Sequence, residues 1–153
     1  MTTIAVPDAV VERFAGRPQV GVWDQAVPLY SVDDDGYPHV ALLSRAEVDV
    51  APDRAGLFAV IASPTTRSNL VSRGTAGTTI VSADTAYHLK LQAGATLEAE
   101  GALAVDLRLR TIKADSIGIP LRGLGFHVAE DLAVLEQWDR SSRLLDRLRA
   151  EVA

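Results

Sequence analysis

The sequence predicts a mainly β domain of the α+β class, with about six short antiparallel strands curled into a small barrel and helices at its flanks. Apolar segments of strand length follow one another from residue 27 to about residue 114. Helical spacing of apolar residues is confined to the start, to one short segment near residue 64 and to the end. Because 153 residues with 48% hydrophobic side chains can bury one continuous core, a single domain over 1–153 is expected.

The first elements are a short helix and a β-hairpin. Residues 7–15 place apolar side chains at helical spacing, and Gly16 ends the pattern. Residues 27–32 and 38–44 are strand-like, and the segment 33–36 between them ends in Asp-Gly, which favours the positive φ values of a tight turn. Its three aspartates could suggest calcium, but they lack the alternating ligands of a calcium loop, so a solvated turn is expected.

A buried strand and a capped helix follow. The uninterrupted apolar run 57–62 predicts a strand that is covered on both faces and lies near the centre of the sheet. Ser63 is a favourable N-cap, Pro64 suits the first helical position, and Gly74 ends the pattern. A short helix is therefore predicted between the buried strand and the next one.

Two further strands are predicted at 78–82 and 86–92. In the second, aromatic and leucine side chains alternate with His88, Lys90 and Gln92 at the two-residue period of a strand. The polar set is therefore expected to face solvent or a partner.

A long strand is predicted from Ala104 onward, and residues 96–102 add a short strand before it. The alternation of apolar and charged residues changes phase after about eight positions, which indicates a bulge near Thr111. The closing segment, about 131–152, has apolar residues at helical spacing with acids early and arginines late, so a C-terminal helix is predicted.

Arg108 and Arg110 are predicted to share one face of the long strand, where they could attract an anionic ligand. Cross-strand pairing with acids such as Glu98 or Glu100 is the favoured interpretation.

Composition excludes several classes of partner. The net charge of -5 is spread without a block of either sign, so neither nucleic acid nor a membrane surface is an expected partner. The chain has no cysteine, which suits a reducing cytoplasm, and a cytoplasmic location is expected. Residues 1–6 do not resemble a signal peptide, and no apolar run reaches the length of a membrane span.

No common catalytic motif is present, and no catalytic residue is nominated. His39, His88 and His127 lie on separate predicted elements, so no metal site is expected. The most informative polar cluster is the segment 63–69, because a capped helix start directs free backbone N–H groups outward beside hydroxyls and a guanidinium. Such an end can bind a phosphate, although Ser63 could also simply cap a surface helix.

The order of three segments adds a family resemblance. Residues 36–44 read Gly-Tyr-Pro-His-Val-Ala-Leu-Leu-Ser, and they are followed by the buried run 57–62 and by the segment 63–70, which ends in Asn-Leu. This succession resembles the FMN-binding split barrels of the pyridoxamine 5'-phosphate oxidase type. The resemblance covers about 27–81 and extends weakly to residue 117.

The resemblance implies a homodimer with FMN in clefts at the subunit interface. Its phosphate would lie near the helix start, and its ring against the first strands and the end of the buried strand. The implied cofactor-binding residues are His39, Ala41, Ser44, Ile61, Ala62, Ser63, Thr65, Thr66, Arg67 and Asn69.

The sequence also departs from the family pattern. The oxidase has basic residues at positions corresponding to His39 and Ser44 and a lysine near Thr66, so oxidation of pyridoxamine phosphate is not expected. The resemblance then implies a flavin-dependent oxidoreductase acting on an unknown small molecule, with a deazaflavin or haem as alternative ligands of the same barrel. The competing hypothesis is a non-catalytic dimeric barrel that has lost the flavin and serves as a ligand-binding or interaction module.

Overall fold

A seven-stranded antiparallel sheet dominates the computed structural model, which describes residues 4–153. Its strand order is β3-β2-β6-β7-β8-β5-β4, and β1 pairs with β9 in a separate two-stranded ribbon. The strands are β1 (Trp23–Gln25), β2 (Val27–Val32), β3 (Pro38–Leu43), β4 (Val48–Val50), β5 (Gly56–Ile61), β6 (Thr75–Ser82), β7 (Thr85–Ala99), β8 (Ala102–Ser116) and β9 (Gly125–His127). The helices are α1 (Asp8–Phe14), α2 (Pro64–Arg73), α3 (Leu132–Leu135) and α4 (Trp138–Val152).

The inner faces of the seven strands converge on the main core. Leu29, Leu57, Leu89 and Leu107 come from four different strands, and each is at most 2% exposed. Helices α1 and α2 add Val10, Phe14 and Leu70 to the same cluster. The predicted α+β class and the curled antiparallel barrel are therefore confirmed.

The main sheet has seven strands and not the expected six. The additional strand is β4, which pairs with β5 through Val48 and Ala59 at the edge of the sheet. Three residues are too few to show a strand period, so the sequence alone does not reveal this edge. The short strand expected at 96–102 is instead largely the end of β7, which reaches Ala99.

The buried strand β5 is covered on both faces, as predicted, but it is not central. It lies next to the edge strand β4, and its second face is covered by helix α4. Phe58 and Val60 pack there against Leu144 and Leu148. The burial of β5 on both faces therefore results from a helix that covers the sheet, and not from a central position of β5 within the sheet.

The C-terminal helix expected at about 131–152 is divided in two. Gln137, between α3 and α4, has a left-handed backbone with φ 50°, and this conformation ends one helix before the other begins. Periodicity of apolar residues does not detect a break at a single residue. In the range 4–153, no helix is long and apolar enough to cross a membrane.

Two irregularities bend the long β7–β8 hairpin. Lys90 pairs with Thr111 and the next residue, Leu91, pairs with Leu109, so Arg110 is the extra residue of a bulge. The bulge predicted near Thr111 is therefore confirmed. A second shift lies between Ala93 and Thr96 on β7.

Candidate ligand groove on the outer face of the sheet

Part of the outer sheet face carries no helix among residues 4–153. Helix α4 covers the outer side of β5 and β8, whereas outward side chains on β2 and β3 remain open. Tyr30 is 38% exposed, Val40 45% and Leu42 56%. We call this surface, defined by Tyr30, Val40 and Leu42, the open apolar face.

A groove of about 420 Å³ borders the open apolar face. Tyr30 forms one wall, and Gly77, its register partner on β6, forms the floor. Lys90 lies opposite Gly77 on β7, and Arg110 enters from the bulge on β8. We call this feature the outer groove; it combines an aromatic ring, a floor without a side chain, and two cations.

The two cations of the outer groove are not neutralised by the protein. Neither Lys90 nor Arg110 has a carboxylate within 4 Å in the described part of the chain. The neighbouring Arg108 is different, because its guanidinium lies 2.7 Å from Asp53 and 3.2 Å from Asp106. Two free cations at one groove attract an anionic group.

Arg108 does not form the expected pairs with Glu98 or Glu100. Its hydrogen bond to Asp53 is the main reason why the pKa of Asp53 lies below its ordinary value. Glu100 pairs instead with Arg143 of α4 at 2.7 Å. The earlier expectation failed because the partner acid comes from the β4–β5 connection, which is distant in sequence.

The predicted phosphate segment forms a capped helix start. The Ser63 hydroxyl oxygen accepts hydrogen bonds from the backbone N–H and the hydroxyl of Thr66, at 3.5 and 3.3 Å. Thr66 is fully buried by this contact, whereas Thr65 is exposed. Arg67 has a buried Nε without a partner, and its Nη1 lies 3.8 Å from Glu98.

The groove beside this helix start is acidic. It has a volume of about 510 Å³, and the turn 33–35 places three aspartates in its wall opposite Thr65 and Ser68. Asn69 donates hydrogen bonds to Ser31 at 3.0 Å and to Asp33 at 2.8 Å. Three carboxylates oppose the binding of a phosphate dianion at this position.

The remaining predicted residues do not form one cluster. His39 approaches Asp33 at 3.7 Å, so it lies near Asn69 under the hairpin tip. Ala41 and Ile61 face the core, and Ala62 is exposed after β5. Ser44 lies apart, in the turn before β4.

Sequence patterns alone did not identify the outer groove as a site. The strand period places Lys90 on the polar face of β7, but nothing local indicates that Gly77 and Tyr30 lie beside it. Arg110 is the residue that the bulge adds to β8, and it lies beside Lys90 in the groove. Only the pairing of distant strands assembles this groove.

A larger groove of about 560 Å³ lies on another side of the protein, lined in part by Trp23 and Arg122. The Gln25 amide is part of its lining, accepting from the Val81 N–H at 2.9 Å and donating to the Val81 carbonyl at 3.0 Å. A Cβ at Gly123 would collide with this side chain. Gln25 therefore connects β1 to Val81 of β6, with Gly123 packed closely against its side chain.

Among the comparisons with known proteins, only solved structures match the chain. No protein-family model matches the chain. No curated protein matches it at a significant level. Solved structures do match.

The flavin reductase of styrene monooxygenase from Pseudomonas putida S12 superposes with a TM-score of 0.54 at 10% identity, over 72% of this chain and 90% of that one. Nitrilotriacetate monooxygenase component B from Mycobacterium thermoresistibile gives 0.55 at 9% identity, over 72% and 79%. The chain has the split-barrel fold. A conserved hypothetical protein from Mycobacterium tuberculosis matches this split barrel over 84% of the chain and 98% of its own length, with a TM-score of 0.52 and 12% identity.

Proposed function

We propose that this split barrel binds a flavin in the outer groove and serves as an oxidoreductase-type protein for a small molecule. The observation that carries the proposal is the pair of free cations, Lys90 and Arg110, beside an aromatic ring on the open sheet face. Two solved structures with the same fold are a flavin reductase and a monooxygenase component, which supports a flavin over other anionic ligands.

The groove suits the chemistry of FMN. Its phosphate carries close to two negative charges near neutral pH, and charge-assisted hydrogen bonds from an ammonium and a guanidinium are among the strongest available to it. Gly77 leaves space for a flat ring, and Tyr30 offers an aromatic face next to that space. The bound flavin would supply the redox chemistry, while the protein holds and shields it.

The start of α2 is the alternative phosphate position that the family resemblance implies. In its favour are the position at a helix start and the unpartnered Nε of Arg67. Against it are the three aspartates in the adjoining wall. We therefore favour the outer groove.

We also propose that the protein acts as a homodimer through the open apolar face. Tyr30, Val40 and Leu42 adjoin the outer groove, so a second copy seated on them would enclose a ligand there. The edge strand β3 carries two of these residues and leaves one row of backbone groups unpaired within the sheet.

Titration of the apoprotein with FMN, followed by flavin fluorescence, tests the function and the position together. The double variant Lys90→Met, Arg110→Met should bind FMN about 100-fold more weakly, since each charge-assisted hydrogen bond contributes about 1.5 kcal/mol or more. Arg147→Met, an exposed cation on α4, is the matched control and should leave the affinity unchanged. A loss with Arg67→Met but not with the double variant would place the phosphate at α2.

Repeating the titration with a deazaflavin and with haem identifies the ligand class. Absence of FMN binding at tens of micromolar would contradict the flavin proposal. The second candidate function, a dimeric barrel without flavin, rests on the acidic wall beside α2. It predicts that no flavin-type ligand binds, although the dimer forms.

Sedimentation tests the dimer separately. The wild-type protein should sediment as a dimer at micromolar concentration. The double variant Val40→Glu, Leu42→Glu should sediment as a monomer, because each substitution places a charge in an apolar contact. A wild-type monomer would refute the shared cleft.

A further inference from the structure

Three side chains form a hydrogen-bonded chain on the outer sheet face. Thr79 on β6 pairs in register with His88 on β7, and the Thr79 Oγ1 lies 3.0 Å from His88 Nδ1. His88 Nε2 lies 2.9 Å from Asp115 Oδ2 on β8. In the sequence His88 looks isolated, because its partners belong to other strands.

The carboxylate determines which ring nitrogen carries the proton. Asp115 accepts from Nε2–H, so the Nδ1 lone pair of the neutral ring is directed at Thr79 and accepts from its hydroxyl. Lys113 lies 3.2 Å from the other Asp115 oxygen and holds that carboxylate in place. A hydroxyl that contacts a base, which in turn contacts an orienting carboxylate, is the arrangement of an activated nucleophile.

The chain of side chains lies beside the outer groove. Thr79 and Gly77 are two residues apart on β6 and face the same side, a separation of about 7 Å along the strand. Lys90 is two residues from His88 on the same face of β7. An anion held by Lys90 and Arg110 would therefore be positioned next to the Thr79 hydroxyl.

We propose that Thr79 is an acyl-accepting nucleophile for anionic esters, with His88 as its general base and Asp115 as a positioning residue. The Thr79 O–H bond breaks, its proton passes to His88 Nδ1, and the oxygen forms a bond to the ester carbonyl carbon. The bond from that carbon to the leaving oxygen then breaks, and His88 returns the proton to the leaving oxygen. Water hydrolyses the acyl-threonine by the same steps.

The reaction does not require flavin, because all the participating groups belong to the protein. Bound FMN would compete with the ester for Lys90 and Arg110, so the apoprotein is the form to test. The side chains are also accessible: His88 is 43% exposed and Asp115 46% exposed. An ordinary cross-strand contact would show the same distances but would not lead to a covalent product.

The test uses 4-nitrophenyl hemisuccinate, an anionic activated ester, with nitrophenolate release followed by absorbance. Mass spectrometry of peptides from acid-quenched protein should find the succinyl group on Thr79. Thr79→Val should slow nitrophenolate release by about 100-fold, which is the lower end of what general-base catalysis contributes. Asp115→Asn should also slow this release. Thr79→Ser should retain activity, which separates loss of the hydroxyl from loss of folding.

Thr85→Val is the matched control, because the Thr85 hydroxyl donates to Asp84 and not to a histidine. It should behave as wild type. The carboxylate of the hemisuccinate also expels nitrophenolate intramolecularly, so the release measured without protein is subtracted for each ester. After this correction, the neutral ester 4-nitrophenyl acetate should react more slowly than the hemisuccinate. The double variant Lys90→Met, Arg110→Met should abolish that difference. Succinylation confined to lysines or to His88, or release by Thr79→Val at the wild-type rate, would overturn the proposal.

Discussion

A buried carboxylate in the turn before β4 leads to a specific prediction about pH and stability. Glu47 is largely buried, and its Oε2 accepts a hydrogen bond from the Ser44 N–H at 2.8 Å. Burial raises the pKa of Glu47 from 4.5 to about 7, and the nearby Glu136 adds to the increase, whereas the Ser44 hydrogen bond and Arg140 oppose it. Folding therefore favours the protonated form of this side chain.

The direction of the effect follows from proton binding. Between pH 4.5 and about 7 the folded protein holds a proton on Glu47 that the unfolded chain has released, so stability decreases as pH rises through this window. The difference in pKa corresponds to about 3 kcal/mol. This contribution is fully present below pH 4.5 and is lost above about pH 7.

Glu47→Gln removes the titration and keeps an oxygen for the Ser44 N–H. Urea unfolding of both proteins at pH 5, 6, 7 and 8 should show the variant becoming more stable relative to the wild type as pH rises, by up to about 3 kcal/mol. The difference between the two proteins isolates Glu47 from other titrating groups.

The exposed Glu12 on α1 is the control, and Glu12→Gln should not change the pH dependence of unfolding. A stability difference between wild type and Glu47→Gln that stays constant from pH 5 to pH 8 would refute this account. A wild type that gains stability relative to the variant with rising pH would also refute it.

Three further predictions concern stability and are measurable by urea unfolding. Gly56→Ala should lower the free energy of unfolding by about 3 kcal/mol, because a Cβ there collides with the Leu107 carbonyl. Gly94→Ala should lower it less, because the nearest atom to its Cβ is 3.3 Å away. Asn69→Ala should cost about 2 kcal/mol, since Asp33 and Ser31 lose their buried donor. Leu144→Ala should cost about 2–5 kcal/mol by leaving a cavity under α4, and an unchanged midpoint would contradict that packing.

The sequence was sufficient to predict the elements that depend on interactions between neighbouring residues. Ser63 caps α2 and Gly74, with φ 73°, ends it, as their positions predicted. The hairpin β2–β3 forms around the turn 33–36, and the change of alternation located the bulge beside Thr111. In each case the deciding interaction lies within a few residues.

The candidate site was less predictable because it is assembled across strands. The phosphate segment at α2 was identified by its capping chemistry, but the acidic wall comes from a hairpin more than 25 residues away in the chain. The outer groove joins Tyr30, Gly77, Lys90 and Arg110, which lie on four strands. Their proximity depends on strand order and register, which no local pattern encodes.

The sequence by itself determined the mainly β class, the hairpin, the capped helix and the alternation of buried and polar residues along β7. Only the tertiary structure decided that β5 lies beside an edge strand, that α4 leaves the outer side of β2 and β3 open, and that His88 lies between Thr79 and Asp115. The reason is physical: capping and turn preferences act between neighbours in the chain, whereas cavities, charge pairs and hydrogen-bonded chains arise where distant segments meet.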